Sequence, residues 1–438
     1  MKKKVPSVGA SCGLLAAAIL CTGARAEAQS AACSSYSNVV YVGGSTAAQP
    51  VFQAIANTLG SAVSIVYLAP ASCAGLNDII TGTKETSSAS YLDPTQKKAV
   101  PCTLPTGPTG GALLDIGVSD VYPQTCVNNL AIQPLGASQK DFPGPVQVMT
   151  FAVPTASKAT AISADAAYTV FGFDADAMYT VQPWSDPTSI FVRTNTSGTL
   201  NMLGTAIGLA ANKWRNDVTP ADAGAAPVQQ KGATPAMVTA LTTATNADSA
   251  IGILAAQSIQ FASSPVNLKI LAYEHKDQSC GYLPDSDSTH FDKLNVRQGR
   301  YVIWGPVHIV TNVDGSGNPV NSASMPSAPL TTIMNYVIGT GPDAAVPTQS
   351  DGGLTDANRQ TIIDAEAKAG VVPWCAMQVR RTGEIGPETS YAAAEPCGCH
   401  FESVVGSTVS TYCASCNTDS DCKTAPYTHC RFGYCEAQ

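Results

Sequence analysis

The chain has 438 residues, long enough for two sizeable lobes or for two to three domains with a substantial core. It carries 24 basic and 32 acidic residues, and its net charge of −8 argues against nucleic acid or an anionic membrane surface as a partner. A small anion is not excluded by this charge, because a local pocket can bind an anion against the global field.

Residues 1–26 have the pattern of a secretory signal peptide. Lys2, Lys3 and Lys4 precede an apolar run at residues 14–20, and Ala24-Arg25-Ala26 is a cleavage motif. The run is shorter than the ~20 residues of a membrane-spanning helix, and no later segment is apolar enough to span a bilayer. We therefore expect a periplasmic or extracellular protein without a transmembrane segment in the mature chain. Cleavage leaves 20 basic against 32 acidic residues.

From about residue 37 to 345, short apolar runs alternate with helical stretches, which predicts an α/β architecture. The expected strands are NVVYVGG (38–44), VSIVYLA (63–69), LLDIGVSD (113–120), VQVMTFAVP (146–154), a segment ending in SAIGIL (249–254), and RYVIWGPVHIVTNV (300–313). The expected helices are PVFQAIANTL (50–59), AGLNDIITG (74–82), a segment after GATP (232–235), and LTTIMNYVIG (330–339). Residues 84–112 interrupt this rhythm and are predicted to be a surface insertion. VPWCAMQVRR (372–381) is predicted to form a further strand.

Thirteen cysteines remain after the predicted cleavage, and eight of them lie in residues 375–438. In an exported chain their expected fate is disulfide formation, which gives a stapled C-terminal region at residues 371–438. The odd number leaves one thiol free or intermolecular, unless cleavage occurs elsewhere. The predicted pairs are Cys375 with Cys397 or Cys399, and Cys102 with Cys126. A zinc site in the tail is the alternative that the predicted export disfavours.

Three predicted strand-to-helix junctions carry small or hydroxyl residues: 44–47, 72–75 and 197–199. A helix N-terminus presents unpaired N–H groups and a partial positive charge, so it binds an anion without lysines. The alternative for each junction is ordinary helix capping, which prefers the same residues. Arg193, four residues before Ser197, is placed to donate two hydrogen bonds from its guanidinium to an oxyanion. Asp120 ends a predicted strand.

In this order the motifs resemble those of PstS-like phosphate-binding proteins of ABC transporters. GGSTAAQPVFQAIA, YLAPASCAGLNDII, LDIGVSDV, VQVMTFAVP and RTNTSGT carry the resemblance over roughly residues 37–345. It implies a two-lobed type II periplasmic binding protein fold. Lobe 1 is expected at 37–146 and 300–370, and lobe 2 at 147–299. The implied ligand is inorganic phosphate or a related oxyanion, and the implied partner is an ABC permease.

Carried over by position, the resemblance implies a site shared by the two lobes. Its implied ligand-binding residues are Thr46, Ala47, Ser72, Asp120, Arg193, Ser197, Gly198 and Thr199. Asp120 would accept the proton of hydrogenphosphate, and fully ionised sulfate brings no such proton. The chain departs from the family pattern at Ala47, at Cys73 beside Ser72, at Asn195 where an acidic residue commonly pairs with the arginine, and in the 84–112 insertion.

No motif in the sequence points to covalent chemistry. The five histidines lack metal-ligand spacing, there is no Gly-x-Ser-x-Gly elbow, and residues 314–318 are typical of a hairpin turn. We therefore expect a binding protein rather than an enzyme, with no cofactor and no metal. The alternative is a surface interaction protein that retains the fold with a degenerate anion site and uses its Cys-rich tail. A secreted phosphatase is a weaker third hypothesis.

Overall fold

The computed structural model describes residues 30–172, 180–215, 229–262, 264–339, 356–406 and 409–437. The predicted signal peptide at residues 1–26 lies outside the described residues. Among the residues that are described, no helix has the length and apolar character needed to cross a membrane.

The helices and strands alternate as predicted in the N-terminal three quarters of the chain. The helices are α1 (Gln49–Leu59), α2 (Ser72–Thr81), α3 (Pro123–Leu130), α4 (Ala164–Gly172), α5 (Gly198–Ile207), α6 (Thr234–Thr242), α7 (Gln257–Gln260), α8 (Leu294–Arg297), α9 (Ala328–Ile338), α10 (Asp356–Lys368) and α11 (Gly398–Val404). The strands are β1 (Val39–Gly44), β2 (Ser64–Leu68), β3 (Ala89–Asp93), β4 (Lys98–Cys102), β5 (Ile116–Ser119), β6 (Gln139–Pro154), β7 (Ala161–Ser163), β8 (Phe191–Arg193), β9 (Gln229–Lys231), β10 (Gly252–Ala255), β11 (Leu268–Ile270), β12 (Ala272–Glu274), β13 (Trp304–Val313), β14 (Pro319–Val320), β15 (Val379–Arg380), β16 (Thr389–Ser390), β17 (Tyr427–Arg431) and β18 (Tyr434–Ala437).

One mixed sheet organises most of the chain, with the strand order β10-β6-β13-β5-β1-β2-β3-β4. Strand β1 is parallel to β2 and β5, whereas β13 runs antiparallel to β5 and β6. The late strand β13 therefore returns to the sheet that the first strands build. The strands next to β1 are buried throughout, as their near-continuous apolar sequences require.

The long strand β6 connects the two halves of the molecule. Its residues from Gln139 to Val148 pair with β13, and those from Met149 onward pair with β10 and β11. One hydrophobic core packs α1 and α9 against β1, β2 and β13. A second, larger core packs α4, α5 and α6 against the C-terminal half of β6 and β10, and it extends to Trp374 and Phe401. The predicted α/β class is confirmed; the proposed lobe boundaries stay a prediction.

Residues 84–112 extend the sheet rather than forming a loop of their own. They contain β3 and β4, which add to the edge of β2 as an antiparallel hairpin. The sequence did not predict this hairpin. Its strands are short and half-exposed, so they lack a clear alternation of apolar residues.

The C-terminal region is stapled by disulfides, as predicted. Its four bonds are Cys375–Cys397, Cys399–Cys413, Cys416–Cys430 and Cys422–Cys435. The sulfurs of Cys416, Cys422 and Cys435 lie close together, but each is already bonded to another sulfur. The predicted strand at 372–381 is wrong for most of its length, because a 3-10 turn at Trp374–Ala376 precedes the two-residue β15.

The predicted pair of Cys102 with Cys126 is also wrong. Cys102 ends β4 at the sheet edge and bonds to Cys33, whereas Cys126 lies in α3 and bonds to Cys73 in α2. The remaining cysteine of the described residues is Cys280, which is free and exposed. This accounts for the odd cysteine count.

Candidate functional site

Asp120 lies directly after β5 and is buried, with 2% of its surface exposed. The Ser72 hydroxyl donates a hydrogen bond to Asp120 Oδ2 over 3.3 Å and accepts one from the Asp120 backbone amide, also over 3.3 Å. The other carboxylate oxygen, Oδ1, is buried and has no hydrogen-bond partner among the described residues. One buried acceptor at the end of β5 is therefore available to a donor.

Parallel pairing explains why Ser72 and Asp120 meet. Strands β2 and β5 flank β1 in parallel, so their C-terminal ends lie at the same edge of the sheet. Helix α2 then runs back close over β1, where a Cβ at Gly75 would lie 2.6 Å from Gly44 Cα. Only glycine permits this approach, and it brings the first turn of α2 against Asp120.

Arg193 ends β8 and is buried, with 2% of its surface exposed. Its guanidinium donates to the carbonyls of Lys231 and Gly232 over 3.0 and 3.1 Å, and to the hydroxyls of Thr234 and Thr46 over 3.4 and 3.2 Å. Within the described part of the chain, no carboxylate lies at ion-pair distance from it. A buried cation held only by neutral acceptors is suited to pair with an anionic ligand.

The first residue of α5 packs against Ser72 and Asp120. A Cβ at Gly198 would lie 2.5 Å from Ser72 Oγ and 2.7 Å from Asp120 Cβ. Beside it, the Cys73 amide donates to the Thr196 carbonyl over 3.0 Å. The N-termini of α2 and α5 therefore face the same buried acid. Ser197 and Thr199 are buried in the same turn.

Burial and the neighbouring groups shift the pKa values of both charged residues. Burial raises the pKa of Asp120 to about 6, against the opposing effects of the Ser45 hydroxyl, Arg193, Ser72 and His308. Burial lowers the pKa of Arg193 to about 10, and the charge of Asp120 opposes this shift. Each of the two charges therefore opposes the pKa shift that burial causes in the other.

Thr46 and Ala47 differ in how their polar groups are engaged in this structure. The Thr46 hydroxyl contacts Arg193 and lies 3.0 Å from the Thr234 hydroxyl. The Ala47 amide donates to Ser45 Oγ over 3.0 Å, so it is engaged within its own loop in this structure. Asn195 is exposed, and its carbonyl accepts a hydrogen bond from Asn201 Nδ2 over 2.7 Å.

Several residues that the sequence reasoning missed contact the site. The Ser45 hydroxyl accepts from the Ala47 and Ala48 amides, and Gln257 Nε2 donates to the Ala47 carbonyl over 3.1 Å. Thr234 begins α6 directly before a proline, so it has the same strand-to-helix signature as the three predicted junctions. That signature was available in the sequence, whereas nothing local marks Gln257.

A second acid from the C-terminal region, the half-buried Glu384, lies near Asp120. Glu384 Oε2 accepts from the Tyr122 amide over 3.1 Å and from the Thr125 hydroxyl over 3.4 Å, at the N-terminus of α3. Its Oε1 is buried without a hydrogen-bond partner among the described residues. Burial raises the pKa of Glu384 to about 7, opposed by His308, the Tyr122 amide, Arg381 and Thr125.

No protein-family model matches the chain, and no curated protein matches it. Solved structures do match. A protein from Clostridium perfringens, described as a phosphate ABC transporter substrate-binding protein with bound phosphate, is 13% identical with a TM-score of 0.44, over 77% of this chain and 99% of its own. An ABC-type phosphate transport receptor from Vibrio cholerae is 13% identical with a TM-score of 0.42, over 76% and 99%.

Other solved structures that match have a different role. The regulatory domain of OxyR from Pseudomonas aeruginosa is 8% identical with a TM-score of 0.34, over 68% of this chain and 96% of its own. Identities this low carry no ligand from one protein to another. The chain is similar in structure to phosphate-binding proteins of the kind that its motifs resemble, and what it binds has to be inferred from its own residues.

Proposed function

We propose that this chain is an exported solute-binding protein that captures an oxyanion, with phosphate as the favoured ligand. Thr46, Ser72 and Asp120 form one side of the proposed site, and residues 193–199 form the other. The protein binds its ligand without covalent chemistry and delivers it to a permease or a sensor. The disulfides and the predicted signal peptide support export.

The observation that carries the proposal is the unpartnered Oδ1 of the buried Asp120, with the buried Arg193 near enough for their charges to affect each other. Hydrogenphosphate brings both a negative charge for Arg193 and a proton for Asp120. Fully ionised sulfate brings no proton, so it leaves two acceptors facing each other, which costs about 1–3 kcal/mol or more. The arrangement therefore favours phosphate over sulfate.

Ligand entry requires the two sides to separate. Arg193 contacts Thr46 directly, and Gly198 lies against Ser72 in this structure. An anion between them has to replace these contacts with its own oxygens. We therefore expect residues 193–199 to move away from Ser72 and Asp120 when the ligand enters, and to close on the ligand once it is bound.

Isothermal titration calorimetry of the mature protein with phosphate and with sulfate tests the proposal. We expect the wild-type protein to bind phosphate more tightly than sulfate. Arg193→Ala should weaken phosphate binding by about a hundredfold or more, because it removes the buried charge. Asp120→Asn should lower the phosphate-over-sulfate ratio by about tenfold or more, because the new amide donates to sulfate as well.

Two exposed residues provide matched controls. Arg300→Ala and Asp277→Asn make the same chemical changes at exposed positions, and both should leave the phosphate affinity and the phosphate-over-sulfate ratio as in the wild type. Phosphate binding that survives Arg193→Ala, with a ratio that survives Asp120→Asn, would contradict the site assignment.

A second candidate function is a surface interaction protein with a degenerate anion site. The observation in its favour is that Arg193 already satisfies four hydrogen bonds with carbonyls and hydroxyls of the chain itself. Titrations and thermal unfolding with phosphate, sulfate, molybdate and arsenate separate the two functions. An interaction protein with a degenerate site shows no heat of binding and no thermal stabilisation with any of these anions.

A further inference from the structure

The disulfide between Cys73 and Cys126 lies next to two of the residues that form one side of the proposed site. Cys73 directly follows Ser72 in the first turn of α2, and Cys126 is the fourth residue of α3, which begins three residues after Asp120. Both cysteines are fully buried. The bond therefore joins the helix that carries the Ser72 hydroxyl to the helix that follows the Asp120 carboxylate.

Without this bond, Ser72 and Asp120 are related only by non-covalent contacts. They are 48 residues apart, and their two hydrogen bonds are both 3.3 Å long, which is beyond the usual range. The intervening residues 84–112 lead away to the edge of the sheet through β3 and β4. A covalent link between α2 and α3 removes the relative motion that such weak contacts permit.

The same cysteine also contacts the opposite side of the site. The Cys73 amide donates to the Thr196 carbonyl over 3.0 Å, and Gly198 packs against the neighbouring Ser72. Residue 73 thus touches the turn that follows Arg193 while its side chain is anchored to α3. The position of α2 consequently affects both sides at once.

We infer that the Cys73–Cys126 disulfide is a positioning element of the anion site, which holds Ser72 and Asp120 in the arrangement that recognises a protonated oxyanion. This inference rests on the proposed function, and it makes the disulfide a further determinant of the affinity of the site for phosphate and of its selectivity over sulfate. Pre-organisation of this kind raises affinity because the unbound site does not have to be ordered by the ligand.

The test compares two double variants of the full mature chain. Cys73→Ala/Cys126→Ala removes the proposed positioning bond. Cys33→Ala/Cys102→Ala removes the bond at the sheet edge, and it is a matched control because the two bonds span 53 and 69 residues. Bonds that close loops of similar length are expected to contribute similarly to stability. Circular dichroism and a thiol count verify that the fold and the other disulfides remain.

Phosphate and sulfate titrations are then made well below the unfolding temperature of both variants. We expect Cys73→Ala/Cys126→Ala to weaken phosphate binding about tenfold or more and to lower the ratio of phosphate affinity to sulfate affinity. The reason is that α2, which carries Ser72, is then free to move relative to α3 and Asp120. The control should keep both values within about twofold of the wild type, with a similar loss of thermal stability. A purely stabilising disulfide would change the stability alone.

The outcomes separate this inference from the proposed function. A wild-type protein that binds no phosphate overturns both. A wild-type protein that binds phosphate, with the same affinity and ratio in the two double variants, overturns the inference and leaves the proposed function standing. If Cys73→Ala/Cys126→Ala does not fold, Cys73→Ala/Cys126→Val refills part of the volume lost with the sulfurs, and the same comparison decides.

Discussion

Glu384 shows how a single carboxyl group links the C-terminal region to the neighbourhood of Asp120. It accepts hydrogen bonds from the Tyr122 amide and the Thr125 hydroxyl at the start of α3, a helix that begins three residues after Asp120. A free glutamate titrates near pH 4.3, whereas burial raises the pKa of Glu384 to about 7. The folded protein therefore retains this proton over a range of pH in which the unfolded chain has lost it.

We predict that wild-type stability falls as the pH rises from 5 to 8, and that Glu384→Gln reduces this fall. Stability tied to a raised pKa is present below the unfolded value and is lost as the pH rises through the folded value. The effect is on the order of 3 kcal/mol at most. Glutamine keeps an acceptor for the Tyr122 amide but carries no charge.

The measurement is chemical denaturation at pH 5 and pH 8 without phosphate. Asp277→Asn, at an exposed position, is the control and should follow the wild type. Equal pH dependence in Glu384→Gln and the wild type would contradict the assignment. Asp120 contributes in the same direction, because burial raises its pKa to about 6, so the dependence is reduced and not abolished.

At the scale of the elements, the close contact between the N-termini of α2 and α5 depends on a glycine. Gly198 is the first residue of α5, where alanine ordinarily favours a helix. Here a Cβ would lie 2.7 Å from Asp120 Cβ, and that atom is held by the backbone after β5. The steric conflict outweighs the gain in helix propensity.

We predict that Gly198→Ala destabilises the protein by about 1–3 kcal/mol and weakens phosphate binding, because α5 is pushed away from Ser72 and Asp120. Denaturation and calorimetric titration measure the two effects. Gly315→Ala is the control, since a Cβ there meets no atom within 4 Å. An unchanged phosphate affinity in Gly198→Ala would show that α5 need not approach Ser72 this closely when the ligand is bound.

At the scale of the whole molecule, the Cys-rich region is anchored to the larger core by a buried ion pair. Arg297 Nη1 lies 2.9 Å from Glu402 Oε1 in α11, and Arg297 Nε donates to the Ala376 carbonyl over 2.8 Å. Glu436 of the last strand in turn accepts from the Cys399 and His400 amides at the start of α11. The tail is thus joined to the body by polar contacts as well as by Phe401 in the core.

Arg297→Ala is predicted to destabilise the protein by about 3–5 kcal/mol, because it leaves the Glu402 carboxylate buried without its cation. Lys368→Ala is the control: Lys368 lies 3.5 Å from Asp364, but its side chain is 66% exposed, and its loss should cost about 1 kcal/mol or less. Urea denaturation measures both. Equal effects of the two substitutions would mean that the tail is not anchored through Arg297.

The sequence by itself determined the α/β class, the strands of the central sheet other than the β3–β4 edge hairpin, and the helix starts that meet at Asp120. These features are local: apolar periodicity, capping residues and glycines act within one element and its neighbours along the chain. Cysteine content together with the predicted export signal likewise indicated that the tail is held by disulfides, because compartment and size decide this without reference to geometry.

Only the tertiary structure decided which distant groups meet. It paired Cys73 with Cys126 and Cys33 with Cys102, placed Glu384 near Asp120, and engaged the Ala47 amide within its own loop. These outcomes depend on sheet order and on the path of the chain between elements, which local patterns do not encode. A pattern specifies what a residue is able to do, whereas packing decides which partner it has.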